Sequence, residues 1–451
     1  MKQRLLNILF WSVISAAFIG PGTITTAASA GAGFGYMLMW ALVFSTIACM
    51  VLQESSARIT TVSEKNLGEA LRIFLFESKI GKITLYLILT AILLGCAAFE
   101  TGNILGAVAG VSLIFDLPAW LVTIAIGICA FALFWYGSVN QIAKVMGLIV
   151  AFMGLCFLTT AIVIRPPILE MFQGAFIPAF PAGSEMLILA LIGTTVVPYN
   201  LFLGSGIVNT QTLREMRLSL TIAIGLGGII SIAVMVVGAS IAGAFTFESL
   251  ANELAASLGS WAAALLGLGL FAAGFSSAVT APLAAAITAQ SMLDSTRKSK
   301  KWKEDGRYFR FVWMGILLIG IGFGIAQVQP IPAIILAQAL NGVILPLVAV
   351  FLLIMVNNVR LMNKETINSN RFNLLMGLVV FITVIIGISN LARALTNLFE
   401  IQLVHEDLIF YTSLIISLTI SWPVWRLIKK VRVEGLVEET IYDEDETNEG
   451  K

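Results

Sequence analysis

Long apolar segments dominate this chain of 451 residues and constrain its fold more than any other feature. About 20 consecutive apolar residues in a helix span the hydrocarbon core of a bilayer, which is about 30 Å thick, and the segments here reach that length repeatedly. Charged residues make up only 12% of the chain, about half of the roughly 25% that soluble domains carry. The sequence therefore predicts an all-α integral membrane protein.

The apolar segments lie between charged residues, prolines and glycines and predict twelve membrane spans. These lie near residues 8–31, 35–57, 83–109, 118–137, 140–164, 186–208, 217–245, 255–292, 310–328, 331–356, 372–394 and 407–428. Short helical or irregular segments at 66–80 and 166–184 fill the two longest gaps.

Lysine and arginine are distributed unequally between the predicted loops. With the N-terminus in the cytoplasm, the cytoplasmic loops hold the basic stretches RKSKKWKEDGRYFR (297–310) and RLIKKVR (426–432), whereas the opposite loops hold little beyond Arg165 and Arg393. Because cytoplasmic loops carry the excess of basic residues, we expect a multi-pass protein of the cell membrane with both termini cytoplasmic. The acidic residues 431–451 predict a solvated, disordered cytoplasmic tail.

Helix-breaking residues interrupt two of the predicted spans. The first span contains Gly20, Pro21 and Gly22, and the sixth contains Pro198 beside Asn200. Irregular backbone at membrane depth is tolerated only where it lines a protected cavity. A single break would also fit a simple kink, but breaks at equivalent places in two halves are typical of inverted-repeat transporters. The breaks therefore predict a substrate site between two five-span repeats.

The repeats predict the domain organisation. Repeat one covers 8–165 and repeat two covers 186–356, with an extra span at 372–394 completing a transporter core over 1–395. The twelfth span occupies 396–430 and the acidic tail follows. Since five crossings separate the two broken spans, they run in opposite directions and their breaks can meet near the midplane.

Several segments resemble the Nramp family of metal-ion transporters, which share the LeuT-type fold. The resemblance extends over about residues 10–395 and lies in GPGTITTAASAGAGFGYMLMWALVF (20–44), LQESSARI (52–59), FETGNILGAV (99–108), ILEMFQGAFIPAF (168–180), LIGTTVVPYNLFLGS (191–205), AGFSSAVTAPLAAAITAQ (273–290) and AQALNGVILPL (337–347). It implies a LeuT-like 5+5 inverted repeat with broken first and sixth helices, followed by about two further helices.

The positions that ligate metal in the family are altered here. The family's first break reads Asp-Pro-Gly-Asn, and its acid and amide are replaced by Gly20 and Thr23. The family's sixth-span motif, Ala-x-x-Met-Pro-His, supplies a carbonyl, a thioether and a histidine, where this chain has Thr194, Val197 and Tyr199. A thioether selects soft transition metals, so its loss predicts that this selection is lost, and Val197 offers no ligating side chain.

Oxygen donors remain around both breaks. They are the backbone carbonyls near Gly20 and Thr194, the hydroxyls of Thr23, Thr26, Thr195 and Tyr199, and the amides of Asn200 and Gln338. Hard cations such as Mg²⁺ accept oxygen ligands and retain waters, although their sites usually include a carboxylate. The exposed half-helix N-termini could instead hold an anionic group of a non-metal solute.

Ionisable residues within the spans are functional candidates. Glu100 occupies the first acidic position of the family motif Asp-Leu-Ala-Glu, and Asn103 replaces the second acid. We interpret Glu100 as a proton relay or cation-attracting group, with a buried structural hydrogen-bond partner as the alternative. Glu54 and Arg58 share a helix face and predict a structural or gating ion pair. The only histidine, His405, lies in an outer loop and is more typical of a residue without a function.

The predicted function is secondary transport of a divalent cation, hard or hydrated rather than a soft transition metal, by alternating access. The family's coupling acid and histidine are replaced, which predicts weak or absent proton coupling. A transporter of a non-metal small solute, or a non-transporting sensor, remains the alternative. One histidine and no HExxH or GxSxG motif disfavour an enzyme. We expect no cofactor, no nucleic-acid partner and a monomer in the lipid bilayer.

Overall fold

In a computed structural model of the chain, helices are the only regular secondary structure among the residues that it describes. These are residues 19–76, 78–136, 139–206, 212–294, 299–363, 365–398 and 407–448. The first part contains α1 Pro21–Phe34, α2 Met39–Ser63, α3 Leu67–Leu75, α4 Lys79–Ser112, α5 Ala119–Tyr136, α6 Val139–Ile164 and α7 Ile168–Phe176. The second part contains α8 Glu185–Thr195, α9 Pro198–Gly206, α10 Leu213–Ala239, α11 Phe247–Leu258, α12 Trp261–Leu293, α13 Arg307–Ile325, α14 Pro330–Met355, α15 Asn370–Leu398 and α16 Asp407–Asn448.

The helices reproduce most of the predicted spans. Within the described ranges, ten helical segments are long and apolar enough to cross a membrane, counting α8 and α9 as one segment, and α5 is a shorter apolar helix. The first predicted span is represented by α1 alone, because residues 8–18 lie outside the described residues. The short segments predicted at 66–80 and 166–184 contain α3 and α7. These elements agree with the predicted fold class.

Two of the predicted boundaries are wrong, and the structure contains one helix that the sequence did not predict. Helix α10 ends at Ala239 rather than at 245, α12 begins at Trp261 rather than at 255, and the unpredicted α11 lies between them. The hydroxyl of Thr246 and that of Ser249 cap each other's backbone N–H groups at 3.0 Å, which starts α11. Gly259 then adopts φ 99°, a conformation that ends α11 before the next span.

The predicted disordered tail is also wrong, because α16 continues from the twelfth span to Asn448. Between Val424 and Asn448 the sequence contains one glycine and no proline. Glutamate and the apolar residues in this stretch have adequate helix propensity, and no breaker stops the helix.

Contacts between the helices follow the pattern of two related repeats. Helix α1 packs on α10, and the equivalent contact in the other direction is made by α2, which packs on α8 and α9. Helix α6 packs on α12, and α14 packs on α4 in the same way. The two long helices α4 and α12 contact each other at the centre. Spans one to five are α1, α2, α4, α5 and α6, and spans six to ten are α8 with α9, α10, α12, α13 and α14. A contact between two spans of different repeats therefore recurs between the two equivalent spans, which is the relationship expected of an inverted repeat.

Small residues allow α1 and α10 to approach closely. A Cβ atom on Gly31 would lie 2.2 Å from the Met235 carbonyl oxygen, and one on Gly238 would lie 2.4 Å from the Ala28 carbonyl oxygen. Helices in a bilayer associate through close packing rather than through a hydrophobic force. These glycines therefore set the distance between α1 and α10.

Gly31→Ala is expected to destabilise the protein by about 1–3 kcal/mol, because its methyl group would overlap backbone atoms that cannot move independently. Gly33→Ala on the same helix is the matched control, since a Cβ there meets nothing within 4 Å. The apparent melting temperature of the detergent-purified protein measures the effect. Equal melting temperatures for both variants would contradict the packing account.

Candidate substrate site

Helix α8 ends at Thr195 and α9 begins at Pro198, so the sixth span is interrupted as predicted. Val196 leaves the helix with φ −103° and ψ 84°, and its N–H still donates to the Ile192 carbonyl at 2.9 Å. Pro198 has no N–H, so the Thr194 carbonyl has no donor at the fourth residue after it. The break therefore exposes carbonyl oxygens at the C-terminal end of α8.

Helix α1 begins at the other predicted break. Gly20 is extended (φ −97°, ψ 178°), Pro21 occupies the first helical position, and no side chain caps the helix. The Ile24 N–H donates to the Gly20 carbonyl at 3.2 Å. The Gly22 N–H lies before this first intrahelical hydrogen bond, in the turn where an α-helix leaves its donors without intrahelical partners. The other half of this break lies outside the described residues.

The two breaks meet through side chains on α1, α8 and α14. The hydroxyl oxygens of Thr23 and Thr194 are 3.1 Å apart. The Gln338 amide lies against Gly22, where an added Cβ atom would sit 2.2 Å from Nε2 and 2.6 Å from Cδ. All three polar side chains are at most 2% exposed. The Gln338 Oε1 atom is buried without a hydrogen-bond partner among the described residues.

Backbone packing positions Gln338. A Cβ atom on Gly193 would lie 2.0 Å from the Gln338 carbonyl oxygen, so α8 and α14 approach closely just before the break. Thr26 contributes to the same region from α1, since its hydroxyl donates to the Gly22 carbonyl at 2.8 Å. Gly20 contacts α12, and a Cβ atom there would lie 3.8 Å from the Ser277 hydroxyl oxygen.

The remaining predicted residues of the sixth-span motif lie at the start of α9. The Tyr199 ring packs edge-on against Phe99 of α4, with centroids 5.2 Å apart. The Asn200 N–H donates to the Val197 carbonyl at 3.0 Å, and the Val197 side chain is buried. Val197 therefore contributes only its backbone carbonyl to this turn, in agreement with the absence of a ligating group on its side chain.

Helix α2 supplies polar contacts that the sequence analysis missed. The Gln53 amide donates to the Asn200 carbonyl at 3.4 Å, and the hydroxyls of Ser56 and Thr60 donate to Leu201 at 2.6 Å and to Ser205 at 2.8 Å. The three donors are spaced three and four residues apart, so they lie on one helix face. That polar spacing in an apolar span was the available sequence signal.

Glu100 lies within α4 and is completely buried. A Cβ atom on Gly320 of α13 would lie 2.8 Å from the Glu100 Cγ atom, so the two helices pack directly over this side chain. Neither carboxylate oxygen, nor the Asn103 Nδ2 atom, has a hydrogen-bond partner among the described residues. The preceding residue, Phe99, is the one that contacts Tyr199. Glu100 therefore lies on α4 next to the residue that contacts the broken helix.

Glu54 and Arg58 form the predicted ion pair away from the breaks, with Nε and Oε1 3.1 Å apart. Arg217 of α10 also contacts Glu54 Oε1, at 2.8 Å. Arg58 further donates to the Thr366 carbonyl at 2.5 Å and to the Asn368 side chain. The pair therefore joins α2, α10 and the segment between α14 and α15.

Glu54→Gln is expected to cost several kcal/mol of stability, about 3–5 kcal/mol by analogy with broken buried pairs, because the Arg58 side chain is only 3% exposed. Arg217→Gln is the matched control with an expected cost of about 0–1 kcal/mol, since the Arg217 side chain is 54% exposed. Thermal melting in detergent compares them. A larger loss for Arg217→Gln would overturn this assignment of the buried pair.

The chemistry at the meeting point of the breaks is neutral. Its side chains provide hydroxyl and amide oxygens, and the broken end of α8 provides carbonyl oxygens. Within the described residues, no group of three histidine, cysteine, aspartate or glutamate side chains is placed to hold a metal ion. Such a site can bind a hard or hydrated cation through oxygen, or a polar solute through hydrogen bonds.

Comparisons with known proteins agree with this architecture. The family model described as natural resistance-associated macrophage protein-like matches residues 12–393. A Dictyostelium discoideum protein named natural resistance-associated macrophage protein 2 homolog is 25% identical over 93% of this chain and 68% of its own length. The divalent metal cation transporter MntH of Yersinia pestis is 26% identical over 85% of this chain and 93% of its own length.

Solved structures show the same fold. The Eremococcus coleocola manganese transporter in complex with an aromatic bis-isothiourea substituted compound superposes with a TM-score of 0.68 at 17% identity, covering 97% of this chain and 95% of that one. Mhp1, a nucleobase-cation-symport-1 family transporter in a closed conformation, gives 0.55 at 17% identity, covering 94% and 92%. These matches confirm the LeuT-like fold.

Proposed function

The chain belongs to the Nramp family, and on that premise we propose that it moves a divalent metal cation across the cell membrane by alternating access. The named metal transporters among its relatives support metal-ion transport rather than enzymatic activity. Our proposal includes both termini in the cytoplasm and a monomeric protein.

The proposed cargo is a hard or hydrated cation of the Mg²⁺ type. The single observation that carries this proposal is the cluster of neutral oxygen donors formed by Thr23, Thr194 and Gln338. Val197 and Tyr199 stand where the family has sulfur and imidazole ligands, so the donor set favours oxygen-seeking cations. Since no carboxylate of the described residues belongs to this cluster of oxygens, we propose that the ion retains part of its water shell.

The unpartnered Oε1 atom of Gln338 is the most specific element of this proposal. A buried acceptor without a donor costs about 1–3 kcal/mol, and a cation would remove that cost by accepting the oxygen as a ligand. The Thr23 and Thr194 hydroxyls can turn their lone pairs towards the same ion. The C-terminal dipole of α8 adds partial negative charge at this point.

Alternating access would move a bundle of α1, α2, α8, α9 and α10 against the rest of the protein. The Thr23–Thr194 contact and the α2–α9 hydrogen bonds join members of this bundle. Its boundary with the remaining helices includes the Tyr199–Phe99 contact and the Gly22–Gln338 contact. We propose that the Glu54–Arg58 pair acts as a gate at one end of this bundle.

Thr194→Val is expected to reduce Mg²⁺ affinity about five- to thirtyfold, because it removes one oxygen donor worth about 1–2 kcal/mol while keeping the side-chain shape. Gln338→Leu should give a loss at least as large. Uptake into proteoliposomes across a Mg²⁺ concentration series measures both effects. Thr288→Val is the matched control, since the Thr288 hydroxyl is satisfied within its own helix by the Ala284 carbonyl at 2.7 Å.

Unchanged transport in both site variants would show that the site is elsewhere. Absence of flux for Mg²⁺, Mn²⁺, Ca²⁺ and small organic anions alike in the wild-type protein would favour the sensor alternative.

A non-metal solute with an anionic group is the second candidate, and the uncapped start of α1 supports it. Gly20 replaces an acid at the N-terminal end of this 14-residue helix, and as the N-cap residue it provides no side-chain cap. A helix N-terminus favours negative charge. Flux of small carboxylates that exceeds Mg²⁺ flux in the same proteoliposomes would select this candidate.

Glu100 is proposed as a relay or attraction group beside the site. An isolated buried carboxylate is unstable in a low-dielectric interior, so Glu100 would hold a proton when no cation is near and become an acceptor when one approaches. If Glu100 releases that proton to the side from which the ion came, and regains a proton from the same side after the empty transporter has returned, no net proton movement accompanies transport. The replacement of the family's coupling residues by Gly20 and Tyr199 supports weak or absent coupling.

Glu100→Gln is expected to raise the KM for Mg²⁺ severalfold, because glutamine reproduces the protonated acid but cannot become charged. A pH-sensitive dye inside the proteoliposomes should report no acidification during Mg²⁺ uptake for either protein. A lower melting temperature with an unchanged KM would assign Glu100 a structural role. Acidification in proportion to wild-type Mg²⁺ uptake would overturn the proposed lack of coupling.

A further inference from the structure

A groove between α14, α15 and α16 lies outside the transport machinery. It encloses about 500 Å³ and is lined mainly by apolar residues, including Leu374, Val380 and Val424, with Gly377 at its wall. Its two serines do not present free donors, since the hydroxyls of Ser417 and Ser421 donate to carbonyls one helical turn earlier in α16. The groove is therefore an apolar surface along most of its length.

One end of the groove is basic. Lys429 and Arg432 of α16 line it there, and no aspartate or glutamate is among its lining residues. Lys429 is exposed and its Nζ atom lies 3.7 Å from the centroid of the Trp425 ring. Arg432 is held in place by the Asn357 side-chain oxygen at 2.8 Å and by the Asn368 carbonyl. Its remaining N–H groups add positive charge to the same end.

The aromatic residues mark the depth of this basic end. Trp422 and Trp425 are stacked with centroids 5.6 Å apart, and both are about half exposed. Tryptophan concentrates at the boundary between hydrocarbon and water. The positions of Lys429 and Arg432, within two to three turns beyond these rings, therefore correspond to the level of the lipid headgroups.

The length of the groove matches one leaflet. Its lining residues on α16 run from Ser417 to Arg432 and those on α15 from Asn370 to Val384, which correspond to about 21–22 Å of helix at 1.5 Å per residue. Half of a bilayer, including its headgroup region, is about 20–22 Å thick. A basic end at headgroup level and an apolar channel of this length are complementary to a lipid that carries negative charge.

We propose that this groove is a binding site for an anionic phospholipid of the cytoplasmic leaflet. The phosphate lies at Lys429 and Arg432, and an acyl chain follows the wall formed by Leu374, Gly377 and Val380. Basic pockets between helices on the cytoplasmic side bind anionic headgroups in membrane proteins generally. The site stabilises the hairpin of α15 and α16 against α14.

Native mass spectrometry of the full-length protein tests this site, after incubation in mild detergent with equimolar phosphatidylglycerol and phosphatidylcholine. The wild-type protein should retain phosphatidylglycerol preferentially. Lys429→Gln should reduce that preference about fivefold, the effect of removing one basic residue near a headgroup. Lys430→Gln is the matched control, because it removes the same charge from the next residue, which does not line the groove.

A second variant tests the apolar part without altering charge. A Cβ atom on Gly377 meets nothing within 4 Å, so the side chain of Gly377→Leu begins in open space at the groove wall and should also reduce retained phosphatidylglycerol. Gly322→Leu on α13, equally free of contacts, should not. Equal retention of both lipids by the wild-type protein, or equal losses in Lys429→Gln and Lys430→Gln, would overturn the proposal, as would unchanged retention in Gly377→Leu.

Discussion

Backbone groups that lipid cannot solvate must find partners within the protein or be used for binding, and this requirement organises the molecule. Pro198 removes a donor from the middle of a span, and the Thr194 carbonyl consequently has no helical partner. The chain compensates for most of the disruption at once, since α9 begins at Pro198 itself and donors on α2 satisfy its carbonyls. Where α1, α8 and α14 meet, the Gln338 Oε1 atom stays without a hydrogen-bond partner among the described residues.

The same requirement explains why the two breaks had to be near each other. Each break leaves polar groups that are costly in isolation, and bringing them together allows one polar region to serve both. Thr23 and Thr194 contact each other across that region, and Gln338 is forced close by the glycines at positions 22 and 193. A residue larger than glycine at position 193 would push against the α14 backbone, and one at position 22 would displace the end of the Gln338 side chain.

Sequence patterns predicted the parts of the fold that depend on local chemistry. Apolar length located the spans, and Pro21 and Pro198 located the helix starts on the far side of each break. Pattern could not locate α11, because its apolar face continues the hydropathy of the neighbouring spans and only the Thr246 cap and Gly259 separate it. The helical extension to Asn448 does not follow from the high charge of this segment, because charge density alone does not distinguish a disordered tail from an exposed helix.

The site was predictable to a lesser degree. The sequence named Thr23, Thr194 and Gln338 as candidate oxygen donors, but it could not predict that Gln338 would retain an unpartnered oxygen or that Glu100 would face Gly320. Those facts depend on contacts between helices that are distant in the sequence. The Gln53, Ser56 and Thr60 donors were visible as a spacing on one helix face, yet their acceptors became evident only once α2 lay beside α9.

Those three donors also have a mechanical consequence. If α9 slid along α2, all three hydrogen bonds would break together. These bonds therefore favour movement of α2 and α9 as one unit. Gln53 of α2 donates to the Asn200 carbonyl of α9, and the adjacent Glu54 forms ion pairs with Arg58 and Arg217. A displacement at the start of α9, beside Tyr199, would therefore reach the segment that Arg58 contacts at Thr366 by way of α2.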